Sequence, residues 1–173
     1  MWRAPDDTAP VGDFGQAYGM DVAEGMIDYA RTHMPGNVVL SVTNGVTLPV
    51  PDQAVSAVFS VIVFLHFDRV EYAESYFREC ARVLKPGGSM MIQLPLYTWP
   101  PNTKAFMTSR LSAGLGAYMS LRRWKGVYYC FLLSRKKWIR STLEERGFKR
   151  IEFSMFQMAR GGAPYSQVFA QKA

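Results

Sequence analysis

Two periodicities alternate along this chain, and together they outline an open α/β sheet. The longest apolar run, Ala57-Val58-Phe59-Ser60-Val61-Ile62-Val63-Phe64-Leu65, is rich in β-branched and aromatic residues and is closed by His66-Phe67-Asp68. Such a run predicts a buried strand. From Glu71 to Leu84 the apolar residues Ala73, Phe77, Cys80 and Leu84 recur at helical spacing, which predicts a helix with one core-facing stripe. Gly87-Gly88 follows, and then a second apolar run, Met90-Met91-Ile92-Gln93-Leu94-Pro95. Strand, helix, glycine turn and strand make a βαβ unit with a right-handed crossover. Near-continuous apolar strands predict a mainly parallel sheet with helices on both faces.

The flanks extend the alternation. Residues 1–13 are polar and proline-bearing and read as a loose leader. Gln16 to Asp21 reads as a short strand ending on a carboxylate, Glu24 to His33 as a helix stopped by Pro35-Gly36, and Val38 to Val42 as another strand. After Tyr97 the pattern breaks into an insertion, 97–135, in which Leu111, Leu115, Tyr118 and Met119 mark one face of a predicted helix. Trp124, Tyr128, Tyr129, Phe131 and Leu132 add an aromatic cluster. A last helix is expected from Ser134 as its cap to Arg146, followed by strands over Arg150 to Gln157 and Gln167 to Gln171, which close an antiparallel edge pair. The whole reads as one domain, 1–173.

Charge changes this picture locally. Residues 1–103 hold 6 Lys/Arg and 11 Asp/Glu, whereas residues 104–150 hold 12 and 2, so the net charge of +6 belongs to one region. Basic and aromatic residues interleave in Arg122-Arg123-Trp124-Lys125 and Arg135-Lys136-Lys137-Trp138. Such clusters suit nucleic acid, an acidic or membrane-bound substrate, or plain solvated helix faces. The only cysteines, Cys80 and Cys130, lack metal-site or disulfide spacing. No apolar run is long enough to span a membrane and no secretory leader is legible, so a cytoplasmic protein is expected.

In order and spacing, several of these fragments resemble the class I S-adenosylmethionine-dependent methyltransferases, in particular their broad type 11 group. Tyr18-Gly19-Met20-Asp21-Val22 with Met26 to Arg31 looks like that family's second strand and helix. Asn44-Gly45-Val46-Thr47-Leu48-Pro49 looks like the loop after its third strand, and Ser60 through His66 like its fourth. Arg78-Glu79-Cys80-Ala81-Arg82-Val83-Leu84-Lys85-Pro86-Gly87-Gly88 looks like its most recognisable block, and Glu144 to Phe148 like the helix end before its sixth strand. The family's G-x-G turn after a first strand has no counterpart here. The chain is therefore expected to be an N-terminally truncated Rossmann-like methyltransferase sheet. Direct pairing of the second and fourth family strands, the leader segment, a homodimer or a partner chain would then complete it. Val55-Ser56 stands where the family usually has Phe-Asp, Ala23 where Ser is usual, and Asn44 where Asp is frequent.

The resemblance implies S-adenosylmethionine as cofactor and methyl transfer to a small-molecule acceptor, with 97–135 as a roof over the pocket. Asp21 would accept hydrogen bonds from the ribose hydroxyls, though a turn carboxylate before a helix is favoured there anyway. Val22 and Met26 would pack on the adenosine. Asn44 would meet the adenine amino group through its amide oxygen, beside the backbone of Gly45 and Val46, yet Asn-Gly is also simply a good turn. Ser60 and Val61 would lie at the carboxyl end of the fourth strand, where ligands bind in open sheets. His66 is the one candidate base, and a histidine there is also an ordinary packing residue. A non-catalytic partner subunit and, more distantly, a basic nucleic-acid-binding module are the rival functions.

Overall fold

The computed structural model describes residues 15–67, 69–95, 117–124, 127–156 and 165–173, with the side chains of 65, 95, 117–124, 127–134, 156 and 165 left out. The chain comprises two compact units, Met1–Val50 and Pro51–Ala173. No helix among the described residues is long and apolar enough to cross a membrane.

The first unit holds strand β1 (Ala17–Asp21), helix α1 (Glu24–Arg31) and strand β2 (Val38–Val42). β1 and β2 pair in parallel, Ala17 opposite Val38 through Asp21 opposite Val42. α1 seats one residue deeply, Ile27, while Val22, Met26 and Tyr29 are exposed. Beyond β2 the chain turns at Asn44 and Gly45 and buries Leu48 and Val50.

In the second unit β3 (Val55–Ser60), helix α2 (Val70–Val83) and β4 (Leu84–Pro95) form the expected βαβ unit, with β3 and β4 parallel. The long apolar run does not continue as a strand. β3 ends at Ser60, Ile62 takes a left-handed backbone (φ 62°), and Phe64–His66 is a single 3₁₀ turn. Burial explains the break: this turn drives Phe64 into the core, ring centroids 5.0 Å from Phe77, 5.1 Å from Phe67 and 5.2 Å from Tyr76.

Further along come β5 (Ala117–Trp124) and β6 (Val127–Ser134), an antiparallel pair, then helix α3 (Lys136–Glu144), β7 (Phe148–Phe156) and β8 (Tyr165–Lys172). Tyr118 and Met119, read as a helix face, thus lie on a strand, while Leu111 and Leu115 fall outside the described residues. β-Branched and aromatic residues in Val127 to Leu132 favour a ladder over a helix there. Ser134 is the last residue of β6, and the N-cap position of α3 belongs to Arg135, whose side chain makes no cap bond. The sheet order is β3-β4-β8-β7, the final strand inserting antiparallel between β4 and β7.

One face of this sheet carries Ser60, Met90, Ile92, Leu94, Ser166, Val168 and Ala170, all buried. α2 and α3 share that face, and Phe77 meets Trp138 at 6.2 Å between ring centroids. The opposite face carries a row across three strands, Phe59 beside Met91 beside Phe169. Phe59 is 73% and Phe169 42% exposed. Helices on both faces were expected; the described helices of this unit lie on one. Nor is β1 paired directly with β3, for among the described residues β1 pairs with β2 alone and β3 with β4 alone.

The Arg82 to Gly88 block is an architectural clip. Arg82 bonds Glu79 (2.8 Å) and Asp52 (2.6 Å), and its carbonyl accepts the Gln53 N–H. Lys172 Nζ donates to the Leu84 carbonyl at 2.7 Å and Gln171 Nε2 to that of Gly87 at 2.9 Å. A Cβ on Gly88 would stand 2.9 Å from the Lys85 carbonyl oxygen and 3.0 Å from that of Ser56, so only glycine fits this crossing without displacing backbone.

Candidate functional site

Ligands in open α/β sheets bind outside the carboxyl ends of parallel strands. Each unit of this chain presents its candidate residues there. At the end of β1 the Asp21 side chain turns back on its own loop, and Oδ1 accepts the Ala23 N–H at 2.8 Å. This closes an Asx-type turn just before α1, whose N-cap position is Ala23, and sets a carboxylate near the helix N-terminus. It engages one carboxylate oxygen only; among the described residues the other has no partner. Asp21 is half-buried, with Val22 and Met26 exposed next to it.

The loop after β2 is more tightly specified than its sequence suggests. Asn44 Oδ1 accepts three hydrogen bonds, from the N–H groups of Val46 (3.0 Å) and Thr47 (2.9 Å) and from Thr47 Oγ1 (2.8 Å). Thr43 Oγ1 donates to the Thr47 carbonyl, and the Thr43 N–H reaches the Asp21 carbonyl at 3.0 Å. Gly45 has φ 84°, and a Cβ there would meet Val22 Cγ1 at 3.2 Å. Asp21, Val22, Asn44 and Gly45 therefore gather on one rim. The Asn44 oxygen expected to meet an adenine amino group is already committed to the loop. What Asn44 has left to offer outward is its amide NH₂, a donor.

In the second unit Ser60 and Val61 do stand at the carboxyl end of β3, but they face different surroundings. Ser60 is buried, its Oγ accepting from Tyr76 O–H at 3.3 Å, and so packs on α2. Burial raises the Tyr76 phenol to about 12, the nearby Cys80 adding to the rise and the Ser60 bond opposing it. Val61 and Ile62 are exposed. His66 closes the 3₁₀ turn with an exposed side chain. Cys80, fully buried, has its thiol pushed strongly upward by burial and then by Glu79, the character of a core residue and not of a nucleophile.

Sequence reasoning missed three contributors. Thr47 anchors Asn44, Tyr76 anchors Ser60, and Ile62 holds a backbone conformation that a β-branched residue seldom adopts. Tyr76 sits three residues beyond Ala73 on the same stripe, so the helical spacing could have found it. Nothing in the sequence marks Ile62. Among the described residues no cluster of three or more His, Cys, Asp and Glu side chains is placed to hold a metal ion.

One family model, described as a methyltransferase domain, matches residues 7–92. A malonyl-[acyl-carrier protein] O-methyltransferase of Methylococcus capsulatus is 28% identical over 148 residues, 84% of this chain and 48% of the relative. The chain thus spans about half the length of that curated relative. Among solved structures, a SAM-dependent methyltransferase from Methanosarcina mazei superposes with a TM-score of 0.66 at 18% identity, covering 90% of this chain and 81% of the other. The 1,6-didemethyltoxoflavin-N1-methyltransferase of Burkholderia thailandensis gives 0.62 at 14% identity, covering 90% and 60%; its structure holds 1,6-didemethyltoxoflavin and S-adenosylhomocysteine.

Proposed function

We propose that this chain, a class I methyltransferase by its fold and by its family match, binds S-adenosylmethionine and transfers the methyl group to a small-molecule acceptor. The observation that carries the reading is the Asp21 carboxylate at the end of a parallel strand, one oxygen tied to Ala23 and the other left over. A ribose diol needs such an acceptor. The rim of Val22, Met26 and Gly45 beside it supplies apolar contact and close backbone approach for an adenosine.

When bound, the cofactor supplies an electrophilic methyl group on sulfur. The chain's own part is orientation, and methyl transfer to a good nucleophile asks for little more. Asp21 would fix the sugar and Asn44 would hold the loop beside the ring. No proton transfer is assigned to His66. One relative is named for a malonyl group borne by an acyl-carrier protein and the other for 1,6-didemethyltoxoflavin, and the second supports a small acceptor here.

Calorimetric titration of the chain with S-adenosylmethionine and with S-adenosylhomocysteine tests this directly. Binding is expected, and Asp21→Ala should weaken it at least about tenfold, the scale of losing one charge-assisted hydrogen bond. No heat and no thermal shift at millimolar cofactor would overturn the proposal.

A second reading, a methyltransferase-fold subunit that serves a partner, is favoured by the exposed Phe59 and Phe169 on the sheet face opposite α2 and α3. Light scattering that finds a homodimer or a stable complex, with no cofactor binding, would select it. The nucleic-acid reading is disfavoured, since Trp138, the aromatic of its second basic cluster, is buried against Phe77.

A further inference from the structure

α3 separates the two halves of the sequence Arg135-Lys136-Lys137-Trp138. Trp138, Ile139, Thr142 and Leu143 turn inward, while Lys136, Lys137 and Arg140 stand exposed on the outer face. Beneath them β7 carries a bulge: Arg150 has φ 52°, and three steps on β7 from Lys149 to Glu152 match two on β8. The bulge keeps Phe148 and Ile151 both buried. It also frees the Ile151 carbonyl, which accepts Arg140 Nη2 at 3.1 Å. Lys136 Nζ and the Arg140 guanidinium each lie 5.5 Å from the centre of the Phe153 ring. The result is a shallow cleft of about 680 Å³, with Glu152 as its one acid. Among the described residues none of the three cations has an ion-pair partner.

We infer that this face of α3 and β7 is a docking surface for an acidic, amphipathic helix of a protein partner. Three unpaired cations within about one turn call for several carboxylates at helical spacing. Half-buried Phe153 and exposed Met155, two residues further along the same face of β7, provide an apolar centre inside the cationic rim, the composition of protein interfaces. A nucleic acid would need a free indole or phenol as stacking platform, but Trp138, the aromatic residue of α3, is buried. A bilayer would need an exposed apolar helix face, and that of α3 is packed on the sheet.

The test is fluorescence anisotropy of the full chain with a labelled synthetic helix of about 20 residues, leucine along one stripe and glutamate elsewhere. Binding is expected to weaken steeply between about 50 and 300 mM salt. Lys136→Glu with Lys137→Glu should weaken it at least about tenfold, and Lys136→Gln with Lys137→Gln by less. The control Lys85→Glu, a cation away from α3 and β7, should leave it within about twofold. Circular dichroism melts establish that each variant is folded. Equal losses in the α3 variants and the control would overturn the inference. So would no loss in the α3 variants, or tighter, equally sensitive binding of a single-stranded oligonucleotide or of phosphatidylglycerol vesicles.

Discussion

Asn44 shows how a single side chain can have its role turned round by its neighbours. Its type and its place before Gly45 were legible as a turn, and the resemblance added an adenine contact. The three bonds that its oxygen accepts from Val46 and Thr47 depend on the folded loop and could not be read from the sequence. Asn44→Asp keeps that oxygen and replaces the donor NH₂ by a second acceptor, which suits an adenine amino group. This variant should fold as the parent does and bind S-adenosylmethionine several-fold more tightly by calorimetry. Asn44→Ala removes the acceptor from two backbone N–H groups, and the loop should lose about 1–2 kcal/mol in denaturant melts while cofactor affinity falls. If the aspartate variant binds no better than the alanine variant, Asn44 has no contact with the ring. Ile62 is a different case, because a left-handed β-branched residue at the end of β3 stores of order 1–2 kcal/mol that only tertiary packing can hold.

Helix α2 carries the most legible information in the chain, and it also sets a pH limit. Its stripe of Ala73, Phe77 and Cys80 was plain from spacing, and the structure buries all three with Tyr76 among them. Tyr76, raised by burial to about 12, is neutral in the fold over a range in which the unfolded chain already ionises. A raised folded value means that the stability is fully present below about pH 10 and is lost as the pH climbs from about 10 to about 12. The loss amounts to about 2–3 kcal/mol for a shift of this size, and Cys80, also pushed up by burial, falls in the same direction from a lower starting point. Denaturant melts at stepped pH should show this decline, and Tyr76→Phe should flatten the portion above pH 10. Parallel curves for the two proteins would mean that Tyr76 is not the group responsible. Elements governed by local spacing were thus readable, and those governed by distant partners were not. The strand β3 was read five residues too long because Val61 to Leu65 are as strand-like as the residues before them, and only the demand to bury Phe64 turns the chain. In the same way the apolar marks at Tyr118 and Met119 fit a helix locally, but pairing with β6 makes them strand.

At the scale of the whole chain, the fold leaves one face of the β3-β4-β8-β7 sheet with an apolar row that its described helices do not cover. The row Phe59, Met91 and Phe169 follows from strand register, so it became visible only once the partners of each strand were known. A strand in the middle of an apolar run is ordinarily covered on both faces, and a phenylalanine left 73% exposed on one is a candidate for association. If the face is open in solution, it should bind a hydrophobic dye such as anilinonaphthalene sulfonate under native conditions. Phe59→Ser with Phe169→Ser should then reduce that dye signal several-fold and raise the concentration at which the chain self-associates in light scattering. Its cost in denaturant melts should stay below about 1 kcal/mol, because exposed side chains give up little on truncation. The buried Phe64→Ala, by contrast, should cost about 3–5 kcal/mol. The opposite pattern, weak dye binding in the parent and a loss above about 2 kcal/mol in the double serine variant, would show that something covers this face in solution, and a dimeric mass would identify it as a second copy.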